Sequence, residues 1–146
     1  MWQVDDEYGS KPITNNDVKK AEEELKVKLP EGYISLLKEQ NGGYINYDSF
    51  PTNFPTSWAD DHINVDYIRG IGGEESIQVS EYLIDEWGLP KKVVLISGDG
   101  HTWIAFDYRY TDENPPIILI DHDGEEIIEI APDFESFLNG LTNLED

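Results

Sequence analysis

The chain has 146 residues and a mass of 16.7 kDa, enough for one domain with a sizeable core and too short for two ordinary domains. It contains no cysteine, which excludes disulfides, thiolate metal sites and cysteine nucleophiles. It shows neither a basic-plus-apolar N-terminal signal nor an apolar run near the ~18 residues of a membrane span. We therefore expect a cytoplasmic protein with no membrane partner.

The acidic balance is the most unusual feature of the composition. Ten Lys and Arg stand against thirty-one Asp and Glu, a formal net charge of −21. Nucleic-acid and anionic-membrane binders rely on Lys and Arg, so this balance argues against both. Hydrophobic residues (38%) and aromatics (12%) are too frequent for a disordered acidic chain. The charge is compatible with ordinary solvated surface, or with a field that favours a basic protein partner.

Two short helices are predicted near the N-terminus. Thr14 followed by Asp17 is typical of a helix N-cap. Pro30 is suited to the first position of a second helix, which Asn41-Gly42-Gly43 would end. The apolar stripes of the two helices are Val18, Ala21 and Leu25, then Tyr33, Leu36, Leu37 and Gln40.

The segment 44–67 carries six of the seventeen aromatic residues of the chain. We predict a strand near 44–47, a long loop, and a strand near 63–68. The aromatics either pin this loop to the sheet or line a recognition surface. On the second interpretation, Trp58 beside Asp60 and Asp61 is an apolar anchor with two acids, suited to a basic protein. The full predicted partner-binding set is Tyr47, Phe54, Trp58, Asp60, Asp61, Glu74 and Glu75.

The remaining elements are a helix, four strands and a last helix. Ser76 is the predicted cap of a third helix in which Val79, Leu83 and Trp87 repeat at near-helical spacing. Runs rich in β-branched and aromatic residues at 93–96, 101–108, 116–120 and 126–130 predict strands joined by short turns, hence an antiparallel meander. Asp133 is the predicted cap of the last helix.

Together these elements predict a single α+β domain over residues 1–146, with 1–13 as an N-terminal extension. Its twisted antiparallel sheet would contain the four-strand meander plus one or two further strands. Within the meander, we expect Thr102, Ile104 and Phe106 to face the core. Trp103 and Tyr108 would fill a second cluster or a groove under the aromatic loop.

No catalytic residue can be assigned from the sequence. Ser97, His101 and Asp107 contain the groups of a hydrolytic triad, but His101 and Asp107 would lie about 20 Å apart on one strand. Carboxylate pairs for glycoside cleavage carry no weight in so acidic a chain, because thirty-one acids always supply pairs.

Metal and phosphate sites are not predicted either, and we expect no cofactor. Each of the three histidines has an aspartate nearby, but no spacing places two ligands on one helical face. Asp121-x-Asp123-Gly124 lacks the third acid and the glycine position of a calcium loop. Gly70-x-Gly72-Gly73 has no following lysine and is followed by two glutamates, which would repel phosphate.

Three strings taken together resemble the SUKH superfamily, in the branch that includes the yeast regulator of cell-wall glucan synthesis. The strings are Glu22-x-x-Leu25 with Leu29-Pro30-x-x-Tyr33-x-x-x-Leu37-x-x-x-Asn41-Gly42-Gly43, then Gly98-Asp99-Gly100 before Trp103-Ile104-Ala105-Phe106-Asp107, then Ala131-x-x-Phe134-x-x-Phe137-Leu138. The resemblance covers residues 14–141. Lys26 departs from it, because the family often has glycine there, so we expect a different turn between the helices.

The resemblance implies a binding domain that performs no catalysis. Bacterial members are commonly immunity proteins that neutralise toxins, often nucleases, and an acidic chain would suit a basic toxin. The alternatives are a regulatory scaffold linked to cell-wall synthesis or signalling, as in the fungal relatives, and a metal-dependent hydrolase. Rescue of growth on co-expression with a toxin would identify an immunity protein. Metal analysis of the purified protein would identify a metal-dependent hydrolase.

Overall fold

The computed structural model describes residues 2, 13–56, 59–72, 76–98, 102–121 and 126–143. Four helices are found in these parts of the chain: α1 (Asn15–Leu25), α2 (Glu31–Glu39), α3 (Ser80–Trp87) and α4 (Phe134–Gly140). None of these helices has both the length and the apolar character needed to cross a bilayer. The predicted extension, 1–13, lies outside the described residues apart from Trp2 and Ile13.

The caps of the helices follow the sequence closely. The Thr14 hydroxyl accepts from the Asp17 amide while the Asp17 carboxylate accepts from the Thr14 amide, a complete capping box. Helix α2 begins at Glu31, with Pro30 as its N-cap, one residue later than predicted. At α4 the Asp133 carboxylate accepts from the Ser136 amide at 2.7 Å. All four predicted helices are therefore confirmed, but Ser76, the predicted cap of the third, instead caps a 3-10 turn that precedes α3.

The predicted meander is also confirmed. Strands β5 (Val93–Gly98), β6 (Trp103–Asp107), β7 (Ile117–Asp121) and β8 (Glu126–Ala131) pair antiparallel in the order β5-β6-β7-β8. The register shifts once in each outer pair of strands, at Leu95/Ser97 and at Ile117/Ile118. Such bulges increase the local twist of a sheet.

The further strands form two small sheets of their own. Strand β1 (Gly43–Tyr44) pairs with β4 (Tyr67–Ile68), and β2 (Ser49–Pro51) pairs with β3 (His62–Asn64). The single strand predicted over 63–68 is thus divided, because the chain changes partner between β3 and β4. The β1-β4 sheet approaches the meander at β5, where the Arg69 amide donates to the Ile96 carbonyl at 2.8 Å.

One face of the meander carries the main core. Ile104 and Phe106 point into it as predicted, and Tyr108 joins them there. The rings of Tyr33, Phe106 and Phe134 meet edge to face, with centroids 5.2–5.6 Å apart. This geometry contributes about 0.5–1.5 kcal/mol per pair beyond simple burial. Helices α1, α2 and α4 all contribute to this core.

The opposite face carries a second, smaller cluster beneath α3. Its buried members are Ile84, Leu89, Val93, Leu95, Trp103, Ala105, Ile118 and Ile120. The expected placement in a second cluster is confirmed for Trp103 and wrong for Tyr108, which lies in the main core. Strands β5, β6 and β7 are therefore buried on both faces, which explains why they are apolar at nearly every position, whereas β8 has the exposed glutamates Glu126 and Glu129.

The buried side of α3 differs from the predicted stripe. Val79 belongs to a 3-10 turn (Ile77–Val79) that precedes the helix, and Trp87 is 47% exposed. Ser80 and Ile84 are the buried residues of α3 instead. The 3-10 turn has three residues per turn rather than 3.6, so it shifts the phase of the helix that follows. The Ser80 hydroxyl fits this position because it donates to the Ile77 carbonyl and accepts from the Leu95 amide.

Candidate partner-binding surface

The predicted loop between β2 and β3 is held by its own hydrogen bonds. The Thr52 amide donates to the Asp61 carbonyl at 2.8 Å, extending the β2-β3 pairing by one step. The Thr56 hydroxyl donates to the His62 carbonyl at 2.7 Å, and the Thr56 amide donates to the Ala59 carbonyl at the same distance. The described residues of the loop therefore extend the hairpin formed by β2 and β3.

The two predicted acids of this loop are exposed. The side chain of Asp61 is 83% exposed and lies 2.9 Å from Nδ1 of His62, whose side chain is 23% exposed. Asp60 is exposed as well. Both carboxylates are thus accessible to a partner.

The predicted aromatics of the set lie differently. Tyr47 and Phe54 are half-buried and contact the main core, so packing alone accounts for them. Trp58, Glu74 and Glu75 lie outside the described residues. The assignment of these seven residues to partner binding remains a prediction.

The groups of the hypothetical triad are separated or engaged elsewhere. Ser97 is buried opposite Ile104, whereas Asp107 is opposite Val93 at the other end of the β5-β6 pair. The Asp107 carboxylate accepts from Nε and Nη2 of Arg109 at 2.8 and 3.0 Å. Burial raises the pKa of Asp107, but the hydrogen bonds and charge of Arg109 outweigh it and hold that pKa below its usual value. His101 lies outside the described residues.

A cleft of about 380 Å³ opens between the start of α2, the β6–β7 loop and the start of α4. Among the described residues, its lining holds no histidine, serine or threonine, and its carboxylates are Glu31, Glu113, Asp133 and Glu135. The hydrogen bond from the Ser136 amide lowers the pKa of Asp133, whereas a general acid needs a raised one. Within the described parts of the chain, no three His, Asp or Glu side chains gather as metal ligands would.

Helix α3 presents a surface that the sequence did not single out. Tyr82 is 67% exposed and Trp87 47%, although both are large aromatics. The Trp87 ring leans on the buried Trp103 ring with centroids 6.4 Å apart. No local signal in the sequence marks this exposure, because Val79, Leu83 and Trp87 have the near-helical spacing of a buried stripe.

The sequence matches the model of the SMI1 / KNR4 family (SUKH-1) over residues 12–140. The chain belongs to this family. Comparison with curated proteins gives no significant match. The resemblance seen in the sequence is thereby confirmed.

The SUKH-1 motif residues of this chain have structural roles. The Asn41 amide group donates to the Ile71 carbonyl and its oxygen accepts from the Ile71 amide, both at 2.8 Å. Gly42 has φ +83°, and a Cβ there would lie 2.6 Å from the Gly70 amide nitrogen. The buried Tyr33 hydroxyl donates to the Arg69 carbonyl. These contacts join the end of α2 to the strand region that follows it.

Lys26, which stands where the resemblance expects glycine, lies in a conformation that glycine favours. It is the C-cap of α1 with φ +58°, in the left-handed conformation that glycine adopts without strain. Its amide and that of Val27 both donate to the Glu22 carbonyl. Helix α1 therefore ends in a left-handed cap formed by a lysine, and the expectation that this turn differs from that of the family stays a prediction.

Proposed function

We propose that this chain is a cytoplasmic immunity protein that binds and neutralises a cognate bacterial toxin, without catalysis of its own. Membership of the SUKH-1 family is consistent with a non-catalytic immunity or regulatory module. The motif residues described above hold the fold together and leave recognition to other surfaces.

The observation that carries the proposal is the net charge of −21 on a folded domain. The charge is unevenly distributed, since the chain from Glu39 onward contains only four Lys and Arg but twenty-three Asp and Glu. A like-signed field of this kind accelerates encounter with a positively charged protein and repels nucleic acid. A nuclease toxin is basic where it holds its substrate, so an acidic domain could occlude that surface.

The groups best suited to chemistry have other tasks, which supports a binding role. Asp107 is paired with Arg109, Asp133 caps α4, and Tyr33 and Tyr108 donate to backbone carbonyls. Burial raises the pKa of both tyrosines well above the usual range, so neither hydroxyl serves as an acid or a base near neutral pH.

The second candidate function is a regulatory role like that of the fungal relatives, because the family match is equally consistent with it. The two roles predict different binding energetics. Binding that depends on opposite charge weakens as salt rises, whereas a scaffold that uses apolar patches shows little dependence on salt.

The test is co-expression with the product of the neighbouring gene. If that protein is the toxin, it should stop growth alone, and this chain should restore growth and purify with it as a stoichiometric complex. A matched control is Phe137→Ala, which removes a buried core ring and should abolish rescue by unfolding the domain. The proposal would be contradicted if the toxin stopped growth and this chain neither restored growth nor formed a complex with it.

A further inference from the structure

The exposed side of α3 combines aromatic, aliphatic and acidic groups in one strip. Residues at i, i+1, i+4 and i+5 lie along one side of a helix. In α3 these positions are Tyr82, Leu83, Glu86 and Trp87, which we call the α3 strip. The strip places one carboxylate between two exposed aromatic rings.

Tyr82 and Trp87 are not the main residues that attach α3 to the sheet. That attachment comes from the Ile84 side chain in the second cluster and from the Ser80 hydroxyl, which accepts from the Leu95 amide at 3.0 Å. Leu83 of the strip is half-buried against the cluster, and the Trp87 ring contacts the ring of Trp103. Tyr82, 67% exposed, makes no ring contact with the described residues. Exposed Tyr and Trp that do little for the fold are the residue types enriched at the centres of protein interfaces.

The charge of α3 indicates what kind of partner fits. The helix carries Glu81, Asp85 and Glu86 and no Lys or Arg, and in the described part of the chain none of these acids forms an ion pair. Its C-terminal turn also lacks a cation, so the negative end of the helix dipole adds to the potential. The nearest cations along the chain, Lys91 and Lys92, follow the C-cap in the turn before β5.

We propose that the α3 strip is a docking site for a basic protein segment, one that places an apolar side chain against Trp87 and Lys or Arg against the three carboxylates. This rests on the proposed function, and it names a surface that the sequence-based set of residues does not include. A second copy of the chain would bring like charges together, and an anionic membrane would meet three carboxylates, so the same acids argue against both.

The probe for the site is a phage-displayed library of short random peptides, selected against the full chain. Enriched peptides should carry Lys or Arg together with an aromatic or aliphatic residue. Trp87→Ala and Tyr82→Ala should each weaken their binding about tenfold or more. Tyr110→Ala is the matched control, because Tyr110 is 84% exposed on the loop after β6, and it should change binding by less than about twofold.

Two charge variants examine complementarity directly. Glu86→Lys should weaken peptide binding, and Lys91→Glu should strengthen it, since the second change extends the acidic field. Thermal unfolding of each variant shows whether the domain is intact. If the Trp87→Ala variant is unfolded, Tyr82→Ala and Glu86→Lys test the docking site, because both replace exposed side chains.

The proposal is overturned if no peptide is enriched, if the enriched peptides are neutral or acidic, or if they bind the α3 variants undiminished. It is also overturned if the chain associates with itself through the strip. Growth rescue separates this inference from the proposed function. Rescue that survives Trp87→Ala and Tyr82→Ala removes the α3 site and leaves the function standing. If basic peptides bind at α3 but the chain does not rescue growth, the α3 site stands and the proposed function is removed.

Discussion

The two faces of the meander are built in different ways. The main core is closed by three helices and by linked aromatic rings, including a Phe50–Phe137 stack with centroids 5.1 Å apart. The second face is covered by the eight-residue α3 and also holds the charged pair of Asp107 with Arg109. Trp87 lies half-exposed at its edge. Stability is therefore concentrated on the face that carries the main core. The opposite face has exposed side chains that can serve recognition.

The largest expected effect lies in the main core. Phe137 is fully buried, so Phe137→Ala should lower the free energy of unfolding by about 3–5 kcal/mol. Chemical denaturation followed by circular dichroism would measure this. A loss below about 1 kcal/mol would mean that the aromatic face does not dominate stability.

The charged pair of the second face should make that face sensitive to acid. Arg109 holds the folded-state pKa of Asp107 below its unfolded value, so the pair stabilises the fold above the usual carboxyl range. That stability should be lost as the pH falls through the lowered pKa. Asp107→Asn should therefore cost about 1–2 kcal/mol near neutral pH and progressively less in acid. A cost that does not change between pH 7 and strongly acidic solution would contradict this account.

A substitution at the left-handed cap of α1 should have a smaller effect on the free energy of unfolding, and it should stabilise the fold. Lys26 has φ +58°, a conformation that costs a side-chain-bearing residue free energy and costs glycine none. Lys26→Gly should raise the free energy of unfolding by about 0.5–1 kcal/mol. Lys28→Gly is the matched control, since Lys28 is exposed and does not have a positive φ. Equal effects of the two changes would refute the cap argument.

The smallest effect on stability is expected at the loop between β2 and β3. Asp60→Lys combined with Asp61→Lys replaces exposed carboxylates and should change the free energy of unfolding by less than about 0.5 kcal/mol. If the loop contacts the partner, the same double change weakens binding, and so does Trp58→Ala. A comparison with Tyr82→Ala, by calorimetry on the same complex, would rank the loop against α3.

Much of this fold could be predicted from the sequence, because its signals are local. Capping residues indicated the starts of α1 and α4, and β-branched runs between tight turns indicated the meander. The pairing of β1 with β4 and of β2 with β3 could not be predicted, because strands of two or three residues are too short to show a periodic pattern. The exposure of Trp87 was missed because Val79, Leu83 and Trp87 have the near-helical spacing of a buried stripe. Recognition surfaces are harder still, since exposure depends on how distant elements pack.

The most direct test of the account is to measure, as a function of salt, the affinity of this chain for the toxin that it is proposed to neutralise. If an acidic surface captures a basic protein, the dissociation constant should rise at least tenfold between about 50 mM and 500 mM salt, mostly through slower association. The same titration with Glu86→Lys should show a shallower dependence. An affinity that stays constant across this range would contradict recognition by charge.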